Sequence, residues 1–117
     1  MNILALDHIT MTAPPGSAAE IRAFYGDVFG LEEVPKPDTV PDGCWFQVGV
    51  QEIHVTYEEP FHPLRTAHPS FMVDDLAALV ARLRAAGAEA TPDDMIPGLE
   101  RAFVRDPFGN RLELRQA

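Results

Sequence analysis

The strongest constraint on the fold of this chain is that one order of elements is written in it twice. A stretch with helical spacing, SAAEIRAFYGDVFG at 17–30, follows a strand-like run, LDHITMT, and precedes LEEV (31–34), CWFQV (44–48) and EIHVTY (52–57). A second, DDLAALVARLRAAG at 74–87, follows HPSFMV and precedes AEAT (88–91), AFVR (102–105) and RLELR (111–115). In the first helix Ile21, Phe24, Tyr25, Val28 and Phe29 make one apolar stripe. Ser17 and Glu20 read as a capping box after the breaker run Pro14–Pro15–Gly16. In the second, Leu76, Leu79, Val80 and Leu83 form the stripe, and Asp74 or Asp75 can cap the N-terminus. Gly30 and Gly87 stand where the two stripes stop, and Pro, Gly and Asp clusters separate the strands. The order is βαβββ, twice, so the sequence predicts an α+β protein of two modules, 1–57 and 67–117, joined by a linker at 58–66.

Corresponding residues keep nearly constant spacing. His8 matches His68 and Thr10 matches Ser70; Gly30 matches Gly87, Pro35 matches Pro92, Phe46 matches Phe103, and His54 matches Glu113. Side chains alternate across a strand, so parity sorts them by face. Ile9 and Met11 oppose His8 and Thr10; Ile53, Val55 and Tyr57 oppose Glu52, His54 and Thr56. Phe71 and Val73 oppose His68 and Ser70, and Leu112 and Leu114 oppose Arg111, Glu113 and Arg115. Each half thus has an apolar face that its helix can cover. The opposite faces carry three of the four histidines and a glutamate at matched positions.

Taken singly, each of these residues has an ordinary reading as a surface or hydrogen-bonded side chain; together they form a ligand set. Three imidazoles and a carboxylate suit a first-row divalent metal such as Fe, Mn, Ni, Co or Zn. An octahedral ion held by His8, His54, His68 and Glu113 keeps two open positions, enough for a substrate that chelates through adjacent oxygens. Arg111 and Arg115 share the face of Glu113, so one can orient its carboxylate, and Trp45 lies in the cavity wall or the core. Arg65 and His62 belong to the linker, and both read as solvated.

Composition narrows the alternatives. A net charge of −9 argues against nucleic acid and anionic membranes and favours cationic ligands. The single cysteine, Cys44, excludes an intrachain disulfide and fits a reducing cytoplasm. MNILALD has neither the basic region nor the long apolar run of a signal peptide, and no run reaches the length of a membrane span. No G-x-S-x-G, C-x-x-C or phosphate loop is present.

LDHIT (6–10), AFYGDVFGLEEV (23–34), HPSFMVDDLAALVARLRAAGAE (68–89) and FVRDPFGNRLEL (103–114) resemble the vicinal oxygen chelate superfamily. That superfamily includes glyoxalase, extradiol dioxygenases and bleomycin-sequestering proteins. The resemblance implies βαβββ modules whose curved mixed sheets enclose a cavity, with helices on the outer face. It implies metal ligands on the first and fourth strands of each module, which are His8, His54, His68 and Glu113 here. His54 stands where glyoxalase-like members often carry glutamate, and is a fourth ligand, an acid/base or a cavity residue. The resemblance further implies a homodimer and a small-molecule substrate, with lyase, isomerase or dioxygenase chemistry. The alternative is a metal-free protein that sequesters a drug or metabolite.

Overall fold

The computed structural model describes residues 1–40 and 42–117. Two compact units divide the chain, Met1–His62 and Pro63–Ala117. In the first, β1 (His8–Ala13) leads to α1 (Ala18–Ile21), then to β2 (Glu32–Val34), β3 (Gly43–Val48) and β4 (Gln51–Tyr57). In the second, β5 (Ser70–Val73) leads to α2 (Leu76–Ala85), then to β6 (Thr91–Asp93), β7 (Arg101–Arg105) and β8 (Arg111–Gln116). The sheets have the same topology, β1-β4-β3-β2 and β5-β8-β7-β6. The first strand of each joins the last in parallel, and the other pairings are antiparallel. The twice-written βαβββ order is therefore realised as two mixed sheets.

Alternation builds the core. Met11, Phe46 and Val55 in the first sheet, and Val104, Leu112 and Leu114 in the second, are fully buried, as are Ile21, Tyr25 and Leu83 from the helices. Each fully buried side chain of this size contributes about 1.5–3 kcal/mol. Among the described residues no helix is long and apolar enough to cross a membrane.

Four local expectations change. The first helix is α-helical only for one turn, and Arg22–Val28 continues as a π-helix. Phe24 and Phe29, five residues apart, touch with ring centroids at 4.9 Å. At 3.6 residues per turn they would lie well round the helix from one another. The wider turn thus gathers Phe24, Tyr25 and Phe29 into one aromatic cluster, with Tyr25 against Phe46. The Ser17–Glu20 capping box does not form: the Ser17 hydroxyl donates to the Pro14 carbonyl at 2.6 Å and caps no helix N–H. Asp75 does cap α2, accepting from the Ala78 N–H at 3.0 Å. Gly30 and Gly87 close the helical segments with φ of 76° and 88°, which a residue bearing Cβ adopts poorly. The strand expected at 88–91 lies instead at Thr91–Asp93, and the strand after His68 starts only at Ser70.

Register also corrects one matched pair. Trp45 pairs with His54 and Phe103 pairs with Glu113. Trp45, not Phe46, is therefore the counterpart of Phe103. Thr10 pairs with His54 and Ser70 with Glu113, so those matches hold in register.

Candidate functional site

The polar face of each sheet gathers one pair of the residues singled out in the sequence. In the first unit, His8 and His54 stack with ring centroids 4.0 Å apart. His54 in turn stacks on Trp45 at 3.7 Å, with the rings parallel to within 1°. This sandwich leaves the His54 side chain only 9% exposed, although it points to the polar face. Its Nε2 meets Glu52 Oε1 at 2.8 Å, and His8 Nδ1 meets Asp7 Oδ2 at the same distance. A carboxylate only accepts, so each of these ring nitrogens carries the proton. In neutral rings that leaves Nε2 of His8 and Nδ1 of His54 as the lone-pair atoms.

In the second unit, His68 lies in the loop leading into β5. Its Nδ1 donates to the Thr66 carbonyl at 2.8 Å, which turns Nε2 toward Glu113 Oε2 at 3.7 Å. The matched histidines of the two units therefore use Nδ1 as donor and present Nε2, the arrangement usual for metal-ligating imidazoles. Phe103 lies edge-on to the His68 ring, 5.4 Å away.

Glu113 is 2% exposed and heavily supported. Oε1 accepts from the Ser70 hydroxyl at 2.6 Å and from Arg115 Nε at 2.6 Å, and Oε2 accepts from Arg101 at 2.7 Å. Burial pushes its pKa up, but the Ser70 hydroxyl and the two guanidiniums outweigh burial and hold it down at about 2. It is a carboxylate at any ordinary pH. Arg101 also pairs with Asp93 at 2.7 Å.

Of the two arginines that share the face of Glu113, Arg115 orients its carboxylate, together with Arg101; Arg111 instead lies 4.0 Å above the Phe103 ring. Arg101, on the neighbouring strand, and Ser70, known to share the face, were not singled out as partners. Register supplies both, through Ser70 opposite Glu113 and Arg101 opposite Arg115. Cys44 is a buried thiol whose pKa burial raises, an unreactive setting.

The donor set fits a divalent metal in charge and tautomer: His8 and His68 with Nε2 available, His54 with Nδ1, and a carboxylate already ionised. His68 Nε2 and Glu113 Oε2 face each other with lone pairs, and metal–ligand bonds of about 2.0–2.2 Å can span a gap of that size. Among the described residues no three His, Cys, Asp or Glu side chains form a ready-made metal cluster. The structure gathers the four expected ligands as two pairs, one in each unit.

Among solved structures, the chain is similar to a glyoxalase-family protein from Bacillus anthracis, with 42% identity over 99% of this chain and 97% of that one, TM-score 0.94. It is similar to lactoylglutathione lyase from Agrobacterium tumefaciens, with 26% identity over 97% and 93% of the two chains, TM-score 0.73. It shares its fold with the fosfomycin resistance protein FosX from Listeria monocytogenes, in a complex with Mn(II) and 1S,2S-dihydroxypropylphosphonic acid. There the identity is 18% over 99% and 94% of the chains, TM-score 0.83. No protein of curated function matches the sequence. The family model that does match spans residues 5–114, which takes in both βαβββ units, and the chain belongs to the Glyoxalase/Bleomycin resistance protein/Dioxygenase superfamily.

Proposed function

We propose that the protein is a metal-dependent enzyme of lyase, isomerase or dioxygenase type, acting on a small molecule that chelates the metal through vicinal oxygens. The donors are His8, His68 and Glu113, with His54 as fourth ligand or as the acid/base group beside them. The observation that carries this reading is His68 Nε2 turned toward Glu113 Oε2, with Nδ1 held by the Thr66 carbonyl. Mn(II) in a superfamily member of the same fold supports it. When bound, an Fe, Mn, Ni, Co or Zn ion supplies Lewis acidity at the substrate oxygens.

The chain's own residues do the rest. Ser70, Arg101 and Arg115 keep Glu113 ionised and fixed in direction. The Thr66 carbonyl fixes the His68 tautomer, and Trp45 fixes the plane of His54. A homodimer working in the cytoplasm completes the reading. A second reading, metal-free sequestration of a small molecule, draws on one observation: three donors already surround Glu113, so its charge is balanced without a metal.

Metal analysis of tag-free protein after loading with each of the five ions separates the two. The enzyme reading expects about one equivalent of one or more ions per site, retained through desalting. Failure to retain any ion, with small-molecule binding preserved, would leave sequestration as the function.

A further inference from the structure

The second sheet holds an unusual concentration of positive charge for so acidic a chain. Arg101, Arg105, Arg111 and Arg115 are four of its nine lysines and arginines, and by parity all four lie on the face that carries Glu113. They stand in two directly opposed pairs, Arg101 with Arg115 and Arg105 with Arg111. Like charges opposite one another on neighbouring strands repel.

The first pair is neutralised. Glu113 accepts from both guanidiniums, and Asp93 takes a second contact from Arg101. The second pair has no carboxylate within ion-pair distance among the described residues. Arg105 donates to the carbonyls of Gly109 at 2.8 Å, Leu64 at 3.4 Å and Arg65 at 3.5 Å. Arg111 lies on the Phe103 ring and donates to the Thr66 carbonyl at 3.4 Å. These contacts orient the guanidiniums without cancelling their charge, and Arg111 keeps most of its five N–H groups unspent.

The position of Arg111 gives the charge a use. The Thr66 carbonyl that accepts from Arg111 is the one that accepts from His68 Nδ1. The Phe103 ring under Arg111 is also the ring edge-on to His68. The guanidinium and the imidazole are thus mounted on the same two supports.

We infer that Arg111, with Arg105 opposite it, binds an oxyanion group, phosphoryl or carboxylate, of the small molecule handled at His68 and Glu113. The group takes the place between Arg105 and Arg111 that Glu113 takes between Arg101 and Arg115. A planar guanidinium fixed on an aromatic ring is well suited to such a two-point contact. The ligand is therefore anionic, the opposite of what the net charge of the whole chain favours. This inference rests on the proposed site but does not require its metal.

The test is calorimetry on chelator-treated full-length protein, with inorganic phosphate and acetate as anions and tetramethylammonium as the cation. Wild type is expected to bind at least one anion and not the cation. Arg111→Gln is expected to weaken anion binding about tenfold or more, the loss of a charge-assisted contact. Arg111→Lys should fall in between, and Arg82→Gln, an equal charge change on α2, should match wild type. Preference for phosphate identifies a phosphoryl group, and preference for acetate a carboxylate. Wild-type affinity in a folded Arg111→Gln variant, an equal loss in Arg82→Gln, or tighter binding of the cation would overturn the inference. If Arg111→Gln does not fold, Arg105→Gln is read in its place by the same criteria. Anion binding by protein that never retains a metal would sink the metal reading alone; metal retention without anion preference would sink this inference alone.

Discussion

Replacing His68 with alanine is expected to abolish stoichiometric metal binding while leaving the fold intact. The side chain lies in the loop before β5, is 27% exposed and lends no packing to the core. Its one firm hydrogen bond is to the Thr66 carbonyl, which still has the Arg111 guanidinium near it. Thermal stability should therefore change by less than about 1 kcal/mol, as for other substitutions away from the core. Metal affinity should fall by more than about 100-fold, because loss of a residue that merely orients a ligand already costs about 10–100-fold. His62→Ala, in the segment joining the units, serves as control and should keep the metal. Equal metal content in His68→Ala and wild type would remove His68 from the ligand set.

Glu113→Gln is expected to be the more damaging substitution for stability, and its effect should depend on pH. The Glu113 carboxyl is held at about 2, against an ordinary value of 4.5. A carboxyl depressed on folding contributes stability that is fully present above the unfolded pKa. That contribution is lost as pH falls through the folded one. The window here runs from about pH 4.5 down to about pH 2, and a shift of this size corresponds to about 3 kcal/mol. At pH 7 the glutamine variant should be destabilised by about that amount, since Arg101 and Arg115 lose the charge between them. Below pH 2 the variant and wild type should converge. Denaturant titrations at pH 7, 4 and 2 measure both. A stability difference that does not shrink with acid would mean that Glu113 contributes through packing and not through its charge.

Much of this architecture is legible in the sequence, because each level of the repeat leaves its own mark. Helical stripes, alternating strands and Gly or Pro punctuation recur in one order, so element number and type follow. Parity selected the face shared by His54 with Thr56 and by Glu113 with Arg115, and the structure keeps that sorting. What escaped was set by contacts between elements. A stripe at i, i+3, i+4 has the same look whether the turn is α or π, so the widening that brings Phe24 to Phe29 was invisible. Phe46 was matched to Phe103 by counting, whereas register pairs Trp45 with His54 and Phe103 with Glu113. From Val34 to its partner Trp45 is 11 residues and from Thr91 to its partner Phe103 is 12, so the connection into β7 is one residue longer and a constant offset slips by one. Arg101 escaped for a related reason: its bond to Glu113 crosses from β7 to β8, and only register brings the two together.

The parallel pairing of β1 with β4 has a consequence for the order of assembly. Strands β2, β3 and β4 are joined through antiparallel neighbours, whereas residue 8 must wait for residue 52 before it has a partner. Contacts that close long loops form late, and edge strands open first. β1 is such an edge, and its first residues face solvent. Amide protons of His8 to Thr10 should then exchange with deuterium faster than those of Ile53 to Val55. The strand that carries His8 is therefore expected to pair late and to open early. If His8 is a metal ligand as proposed, a destabilised variant should lose metal binding before it loses its core.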